Sequence, residues 1–449
     1  MGWKQQWKRL WQERHHQLWV LPALNCGLAV LLALVAAWIP QLLPAQLELP
    51  VVSPDTLNNL LTVIASSMLA VATFSLSIMV SAFASASNGV TPRATELVMG
   101  DESTRTAIAN FLSAFIFSVV AQTALGMKYY GDNGRFILFV GTLGVLAWLM
   151  LTLLRWVRTL SSLGRLGNTL QRVEEAAQRS LTHFWKAPLL GAHAAPAALQ
   201  PQPHWQAVRA SDLLSVRRID MEQLHAVAEA LECQLHVCVR PGMMVAPGDV
   251  LAWVVPSQAT ESPTPSATLD TEHLAAIEDA FQLDTSRTFD QDPRFAVIVL
   301  REAAQRALSS SVNDPGTAIA CLHSLARALL HSQRDAAAEM QQAQPASSTA
   351  SAVRYPRLTL PALDPAELVA DGLDPIVRDG AGSFEMMVRL QKMLALLHRE
   401  SRDPALREAL ARNAAYACER ATAALPDARD QAQVQQLYAQ YFGALQTDC

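Results

Sequence analysis

Hydroxyl side chains crowd into one uncharged, strongly apolar stretch of this 449-residue sequence. No Asp, Glu, Lys or Arg occurs between Asp55 and Arg93. If the stretch is helical, a stripe of hydroxyls recurs along it at spacings of four and seven residues: Ser66, Thr73, Ser77, Ser81 and Ser85. In a membrane such a stripe either packs closely against another helix or lines a narrow aqueous path, where hydroxyl oxygens replace part of an ion's hydration. The sequence leaves both interpretations open.

A second group of candidate residues follows two Asp-Pro pairs, Asp292-Pro293 and Asn313-Asp314-Pro315. Each Asp carboxylate can accept the free amide hydrogens of a helix's first turn, while Pro occupies a position whose missing donor costs nothing. His323 lies about two turns into the second helix. A metal or hydrolytic centre there would need at least one more convergent ligand. We therefore expect two helix caps rather than a catalytic or metal site.

Known catalytic and cofactor motifs are missing from the sequence. It contains no zinc-protease helix, phosphate-binding glycine loop, Ser-x-x-Lys pair or dinucleotide fingerprint. Its six cysteines show no zinc spacing. The turn-rich segment 239–251 is similar to biotinyl and lipoyl-type hairpins, but no lysine sits at its tip. We expect no cofactor, no enzymatic activity and no nucleic-acid partner.

Four apolar stretches in the first third of the chain must position the hydroxyl stripe. They cover residues 18–43, 58–86, 106–127 and 136–157. A bilayer core requires roughly 20 apolar residues in a helix, and lipid offers the backbone no other way to satisfy its hydrogen bonds. The interiors of the four stretches lack ionisable side chains, which argues against a proton-coupled pump. The sequence thus predicts a four-helix transmembrane domain over residues 18–157.

Lys and Arg residues are distributed unevenly around these stretches. Twelve lie on one side: Lys4, Lys8, Arg9, Arg14, Arg93, Arg105, Arg155, Arg158, Arg165, Arg172, Arg179 and Lys186. Two, Lys128 and Arg135, lie on the other. The positive-inside rule therefore predicts a multi-pass membrane protein with both termini in the cytoplasm. Trp3, Trp7 and Trp11 share one face of residues 1–17, which predicts either an interfacial helix or a packing surface for another subunit.

A heptad pattern follows the last apolar stretch, over residues 158–186. Leu163, Leu166, Leu170, Val173, Ala177, Ser180 and Phe184 form its seam. A basic stripe recurs every seven residues beside it: Arg158, Arg165, Arg172, Arg179 and Lys186. The pattern predicts a long juxtamembrane helix that is either an oligomerising stalk or packs on its own domain.

The rest of the chain has the composition of a soluble protein. We predict a linker over 187–206 and a small α+β domain over 207–257. A helical domain over 271–332 carries the Asn-Asp-Pro motif, and a disordered linker covers 333–360. A helical region over 361–449 completes the chain. The fold class is therefore mainly α, with a cytoplasmic α+β region containing a small β-hairpin or half-barrel unit.

These segments resemble a known family of bacterial membrane proteins, catalogued as domain of unknown function 2254. Its Leu-Ser-Pro-x-Ile-Asn-Asp-Pro-x-Thr-Ala signature is similar to residues 308–318, with Ser310 and Gly316 as departures. Further matches are Arg240, Pro241, Gly242, Pro247, Gly248, Arg287, Thr288, Gln291, Asp292, Pro293, Phe295, and the hydroxyl-rich stretch itself. The resemblance implies an inner-membrane protein with a cytoplasmic domain, and it supplies no activity.

Two functions agree with these features. The first is an oligomeric channel-like or passive transport protein with a cytoplasmic regulatory domain. The second is a membrane-anchored sensor or scaffold whose cytoplasmic domain binds a ligand or protein. In both cases we expect the lipid bilayer and further copies of the chain as partners, with a small ion or ligand.

Overall fold

The computed structural model describes residues 20–35, 50–89, 91–94, 102–160, 166–196, 199–256, 271–343 and 353–443. The chain divides into two compact units, Met1–Thr169 and Leu170–Cys449. It is mainly helical, with short strands in two small sheets. The helix predicted for residues 1–17 lies outside the described residues.

The first unit is built from helices α1 (Val20–Val35), α2 (Pro54–Gly89), α3 (Glu102–Gly126) and α4 (Asp132–Leu160). Three segments are long and apolar enough to cross a membrane: Pro54–Ala84, Thr106–Gly126 and Asp132–Leu160. Helix α1 is described for 16 residues, fewer than the roughly 20 that a bilayer core requires. Its predicted range continues into residues outside the description. The structure thus supports three of the four predicted spans.

Helix α3 is the centre of the first unit, because it packs against α1, α2 and α4. Alanines at positions 107, 114, 121 and 124 are buried along it, and such small side chains let neighbouring helices approach closely. Larger rings fill the space beside them. Phe111 meets Trp156 of α4 edge to face, with ring centroids 5.9 Å apart.

The second unit begins at Leu170, within α5 (Leu166–Lys186), and continues into an α+β region. Its strands are β1 (His193–Ala194), β2 (Gln206–Arg209), β3 (Leu214–Ile219), β4 (Cys233–Val237), β5 (Met244–Val245), β6 (Val250–Pro256), β7 (Phe281–Asp284) and β8 (Leu358–Leu360). One sheet has the order β1-β8-β4-β6-β2 and the other β5-β3-β7. Helices α6 (Met221–Ala230) and α7 (Thr271–Glu278) complete the region. One core, including Val216, Leu224, Leu235, Ile277 and Leu358, joins both sheets and both helices.

A helical region completes the second unit. It contains α8 (Pro293–Leu308), α9 (Pro315–Ala343), α10 (Pro365–Gly380), α11 (Phe384–Glu400), α12 (Pro404–Ala424) and α13 (Ala428–Phe442). Both predicted Asp-Pro caps are confirmed. The Asp292 carboxylate accepts a hydrogen bond from the Phe295 amide at 3.0 Å, and the Asp314 carboxylate accepts one from the Thr317 amide at 3.0 Å. Asp364 and Asp403, each before a proline, cap α10 and α12 in the same way.

Two linker predictions need correction. The range 187–206 contains β1 and the first residue of β2, so it contributes to a sheet. The range 333–360, predicted as disordered, begins with the last part of α9 and ends with β8. Because β8 pairs with both β1 and β4, the α+β region draws on residues far outside the predicted range 207–257.

Packing in the helical region generates a first prediction, at Gly372 of α10. A Cβ atom added there would collide with Val297 of α8 and lie 3.3 Å from Leu325 of α9. Alanine gains about 0.5–1 kcal/mol over glycine inside a helix, but overpacking a core costs about 1–3 kcal/mol. Gly372→Ala should therefore lower the melting temperature of the full chain in detergent.

The matched control is Gly382→Ala, because a Cβ atom there has no heavy atom within 4 Å. Its melting temperature should stay at that of the unmodified chain. If the two variants melted at the same temperature, the close contact between α8 and α10 would be disproved.

Candidate functional site

The hydroxyl stripe lies on the outer surface of the first unit. Ser66, Thr73, Ser77 and Ser81 are all exposed, and Ser85 lies farther along the same helix. At roughly 100° per residue, Ser66 points about opposite to Ile64 and Leu57. Those two side chains are buried in the cores formed with α3 and α4. Among the described residues, the stripe therefore faces away from the cores that α2 forms with α3 and α4.

Hydroxyl hydrogens of this helix are used inside it. Ser66 donates to the Thr62 carbonyl at 2.9 Å, and Thr73 donates to the Ala70 carbonyl at 2.9 Å. A hydroxyl that donates to its own backbone keeps its oxygen free to accept. At Ser66 and Thr73, the stripe thus presents hydroxyl oxygens that can accept a hydrogen bond or contact a cation.

A polar contact ties α2 to α3 near one end of the stripe. Gln122 of α3 donates from Nε2 to the Thr62 hydroxyl at 2.7 Å. Because hydrocarbon offers no competing partner, such an amide–hydroxyl bond fixes the rotation of α2 about its axis. Thr62 lies about 40° from Ser66 around the helix axis, so α3 reaches the edge of the face that carries the stripe.

The five residues of the predicted basic stripe do not share one described helix. Arg158 lies in α4, Arg165 falls outside the described residues, and Arg172, Arg179 and Lys186 lie in α5. Lys186 forms an ion pair with Glu339 of α9. That contact neutralises part of the basic stripe, so a uniform cationic edge is not formed.

The heptad seam of α5 is buried inside its own unit. Leu170, Val173, Ala177 and Phe184 are each 7% exposed or less. Polar contacts hold the same helix on α9. Arg327 binds the Glu174 carboxylate through two hydrogen bonds of 2.6 Å, and Gln178 donates to Asp335 at 2.6 Å. The structure therefore favours packing on its own domain over an oligomerising stalk.

The Asn-Asp-Pro motif forms an exposed turn between α8 and α9. Asn313 has a left-handed backbone with φ +48°, a conformation that Asn tolerates better than most residues. Hydrogen bonds from the hydroxyl and amide of Thr317 lower the pKa of the Asp314 carboxyl. Across the described part of the chain, no three His, Cys, Asp or Glu side chains converge as metal ligands. The Asp314 carboxylate caps α9 through its hydrogen bonds from Thr317.

Asp292 has a larger role than the cap that its sequence predicts. Its side chain is 1% exposed and receives hydrogen bonds of 2.7 Å from Arg287 and 3.0 Å from the Phe295 amide. Gly242, with φ +89°, lies so close that any Cβ atom would collide with this carboxylate. Burial raises the pKa of Asp292, and the Arg287 guanidinium opposes that shift. One carboxylate thus joins the turn before β5 to the start of α8.

Two more arginines surround this junction. Arg240 is 8% exposed and donates to the carbonyls of Pro361 and Pro188, the latter at 3.0 Å. Burial lowers the pKa of Arg240 to about 10, opposed by the nearby carboxylates of Asp292 and Glu367. Arg294 pairs with Asp371 at 2.6 Å. The junction therefore fastens the α+β region to the helical region.

Sequence reasoning placed Arg240, Gly242, Arg287 and Asp292 in separate motifs. The structure brings these four residues together, but the hydroxyl stripe and the Asn-Asp-Pro turn remain apart from them. The sequence did contain a signal for this cluster. Neither a turn nor a helix cap needs an arginine, yet Arg240 begins the Arg-Pro-Gly turn and Arg287 lies five residues before the Asp292 cap.

A second prediction concerns the buried pair. Arg287→Ala removes the cation that faces a carboxylate shielded from water, and breaking a buried pair from one side costs about 3–5 kcal/mol. The melting temperature of the full chain in detergent should fall strongly. The double variant Arg287→Ala/Asp292→Asn should recover part of the loss, because it leaves no unpaired carboxylate at position 292.

Arg217→Ala is the control for this pair. Arg217 and Asp284 form an ion pair at 2.9 Å, but their side chains are 39% and 37% exposed. Exposed pairs contribute about 0–1 kcal/mol. Equal melting temperatures for Arg287→Ala and Arg217→Ala would show that the Asp292 junction does not stabilise the fold.

Comparison with known proteins places the chain in one family. The family described as "Predicted membrane protein (DUF2254)" matches residues 15–396. Neither a curated protein nor a solved structure matches the chain. The matched range includes the hydroxyl stripe, the Asp292 junction and the Asn-Asp-Pro turn. The chain therefore belongs to the DUF2254 family of membrane proteins.

Proposed function

We propose that the protein is a homo-oligomeric, channel-like passive transporter of small ions, with its second unit as a cytoplasmic regulatory domain. The observation that carries this proposal is the position of the hydroxyl stripe. It lies on the outer face of a helix that can cross a membrane, opposite the face that packs within the chain.

The shape of this face supports association with another copy. Ser66, Ala70, Thr73 and Ser77 are small, whereas Leu69 and other exposed neighbours are large. A row of small side chains between large ones lets a second helix approach closely, and small hydroxyl residues are enriched at such interfaces. Copies of α2 arranged around a common axis would enclose the stripe.

The chemistry of the enclosed surface favours ion passage. Outward-facing oxygens at Ser66 and Thr73 can replace water around a cation. Ionisable side chains are absent from the central part of α2, where a tight ion-binding site would use them. Weak neutral ligands suit passive movement, since an ion must also leave each site.

The orientation follows from the basic flanks of the spans. Lys and Arg are concentrated on the side that carries the second unit, so we infer a multi-pass inner-membrane protein with both termini in the cytoplasm. In that orientation, the second unit meets cytoplasmic ligands.

Ion flux into liposomes tests the proposal. The purified full chain should conduct, and Ser77→Leu or Ser81→Leu should lower the flux. Each change removes a hydroxyl oxygen that can contact a cation and narrows the path with a bulky apolar side chain. Leu76→Phe is the control, because Leu76 is 50% exposed beside the stripe. This substitution adds bulk without removing a hydroxyl.

Absence of flux in several salts would refute transport. Equal flux through Ser77→Leu and Leu76→Phe would refute the assignment of the path to the hydroxyl stripe. Both measurements require that the variants insert into the liposomes to the same extent, as read by protein content after flotation.

The alternative is a membrane-anchored sensor or scaffold. It is favoured by the second unit, which has its own core and a large cleft between α5 and β3. Under this function, a chain that ends before Ala207 should lose the cellular phenotype of the full protein. A phenotype that survives this deletion would exclude the sensor and leave transport.

A further inference from the structure

The cleft between α5 and β3 in the second unit has a volume of about 610 Å³. It lies between the end of α5, the turn that follows α5, the junction of β3 with α6, and the segment 353–355. Small-molecule sites typically have volumes of roughly 300–1,000 Å³. The cleft therefore has the size of a site for one small molecule.

Side chains that can carry positive charge enter this cleft from three separate parts of the fold. His183 and Lys186 come from α5, Arg218 from β3, and Arg354 from the segment before β8. Burial lowers the pKa of His183, and the charges of Lys186 and Arg218 lower it further, against a weaker opposite effect of Asp290. His183 therefore lies close to the charges of Lys186 and Arg218, and an anion in this part of the cleft would be stabilised.

The two arginines are the groups most available to a ligand. Among the described residues, neither Arg218 nor Arg354 has a carboxylate partner, whereas the adjacent Arg217 is paired with Asp284. Lys186 is held by Glu339. Of the two acidic residues in the lining, Asp220 uses its carboxylate to cap α6 through the Gln223 amide at 3.0 Å. Glu222 is the remaining acidic residue.

The floor of the cleft is held in a fixed shape. Gly191, with φ +86°, accepts a hydrogen bond from the Tyr355 amide at 2.9 Å. A Cβ atom at Gly191 would lie 3.2 Å from both Tyr355 and Arg354. The Arg354 guanidinium lies over the Tyr355 ring, 5.3 Å from its centroid. Arg354 is thereby oriented before any ligand arrives.

The wall beside Arg218 is fixed as well. The Gln291 side chain accepts from the Ile219 amide at 2.9 Å and donates to the Ile219 carbonyl at 3.3 Å. This pair of hydrogen bonds holds the end of β3, which carries Arg218. Preformed walls reduce the ordering cost that a ligand must overcome.

From this arrangement we infer that the cleft binds a phosphate-bearing small molecule through Arg218 and Arg354. The planar guanidinium matches phosphate oxygens in pairs. Leu189, Leu190, Met221 and Val353 provide apolar lining for the remainder of the ligand. The site stands independently of ion conduction, and it adds a ligand class to either of the functions proposed above.

Calorimetric titration of the full chain in neutral detergent tests the site, with pyrophosphate and ATP as probes. Saturable binding at one site per chain is expected. Arg218→Ala or Arg354→Ala should each weaken it roughly tenfold or more, since a hydrogen bond to a charged group contributes about 1.5–3 kcal/mol. Arg354→Lys should restore part of the affinity by keeping the charge.

Arg399→Ala is the control, because Arg399 has a 73% exposed side chain on α11 and is absent from the cleft. Melting temperatures without ligand should agree among these variants, since all of the replaced side chains are exposed. Binding that Arg218→Ala and Arg354→Ala leave unchanged would overturn the inference.

A lipid phosphate is the other source of the same chemistry. A second set of samples therefore compares nanodiscs of phosphatidylglycerol with nanodiscs of phosphatidylcholine, read by the melting temperature of the full chain. Stabilisation by phosphatidylglycerol that both arginine variants abolish, without pyrophosphate or ATP binding, identifies a lipid headgroup. No arginine-dependent effect in either set of samples overturns the site.

Discussion

Hydrocarbon offers no hydrogen-bond partner to a polar group, and the first unit is organised by that constraint. Backbone groups are satisfied within helices, and the hydroxyl hydrogens of Ser66 and Thr73 are satisfied by carbonyls one turn earlier. Small residues occur at two kinds of surface in this unit. The alanines of α3 allow close packing inside the chain, while the hydroxyl stripe offers a similar surface outside it. One set of small residues thus serves the packing of the chain itself, and the second set is the exposed surface at which we propose association.

The second unit depends on a different interaction, the carboxylate of Asp292. This carboxylate is shielded from water, so its charge must be compensated by Arg287. Its other oxygen accepts a hydrogen bond from the Phe295 amide. Gly242 is required beside it because no other residue leaves room. Through these contacts, a loop of the α+β region and the first turn of α8 are positioned by one side chain. The same junction also contacts the cleft between α5 and β3, because Arg240 donates a hydrogen bond to the carbonyl of Pro188, a residue that lines the cleft.

Local signals in the sequence were enough to predict the helices and several of their starting points. The Asp-Pro caps are read from neighbouring residues, and the apolar stretches are read from length and charge alone. Long-range contacts were not readable in this way. The heptad seam is identical for a stalk and for packing on α9, so only contacts between distant residues decide between them, such as the ion pair of Glu174 with Arg327. Strand β8 has three residues, too few for an alternating pattern, and it was predicted as disordered. The exposure of the hydroxyl stripe likewise depends on which face of α2 packs against α3 and α4, and that is a long-range contact.

The position of β8 has a consequence for synthesis of the chain. Strand β8 lies between β1 and β4, yet its residues follow α8 and α9 along the sequence. On a ribosome, one edge of β4 stays unpaired until both of these helices have been made. Exposed strand edges recruit strands of other chains. The nascent protein therefore passes through an interval of vulnerability to aggregation, which ends when Leu358–Leu360 closes the sheet.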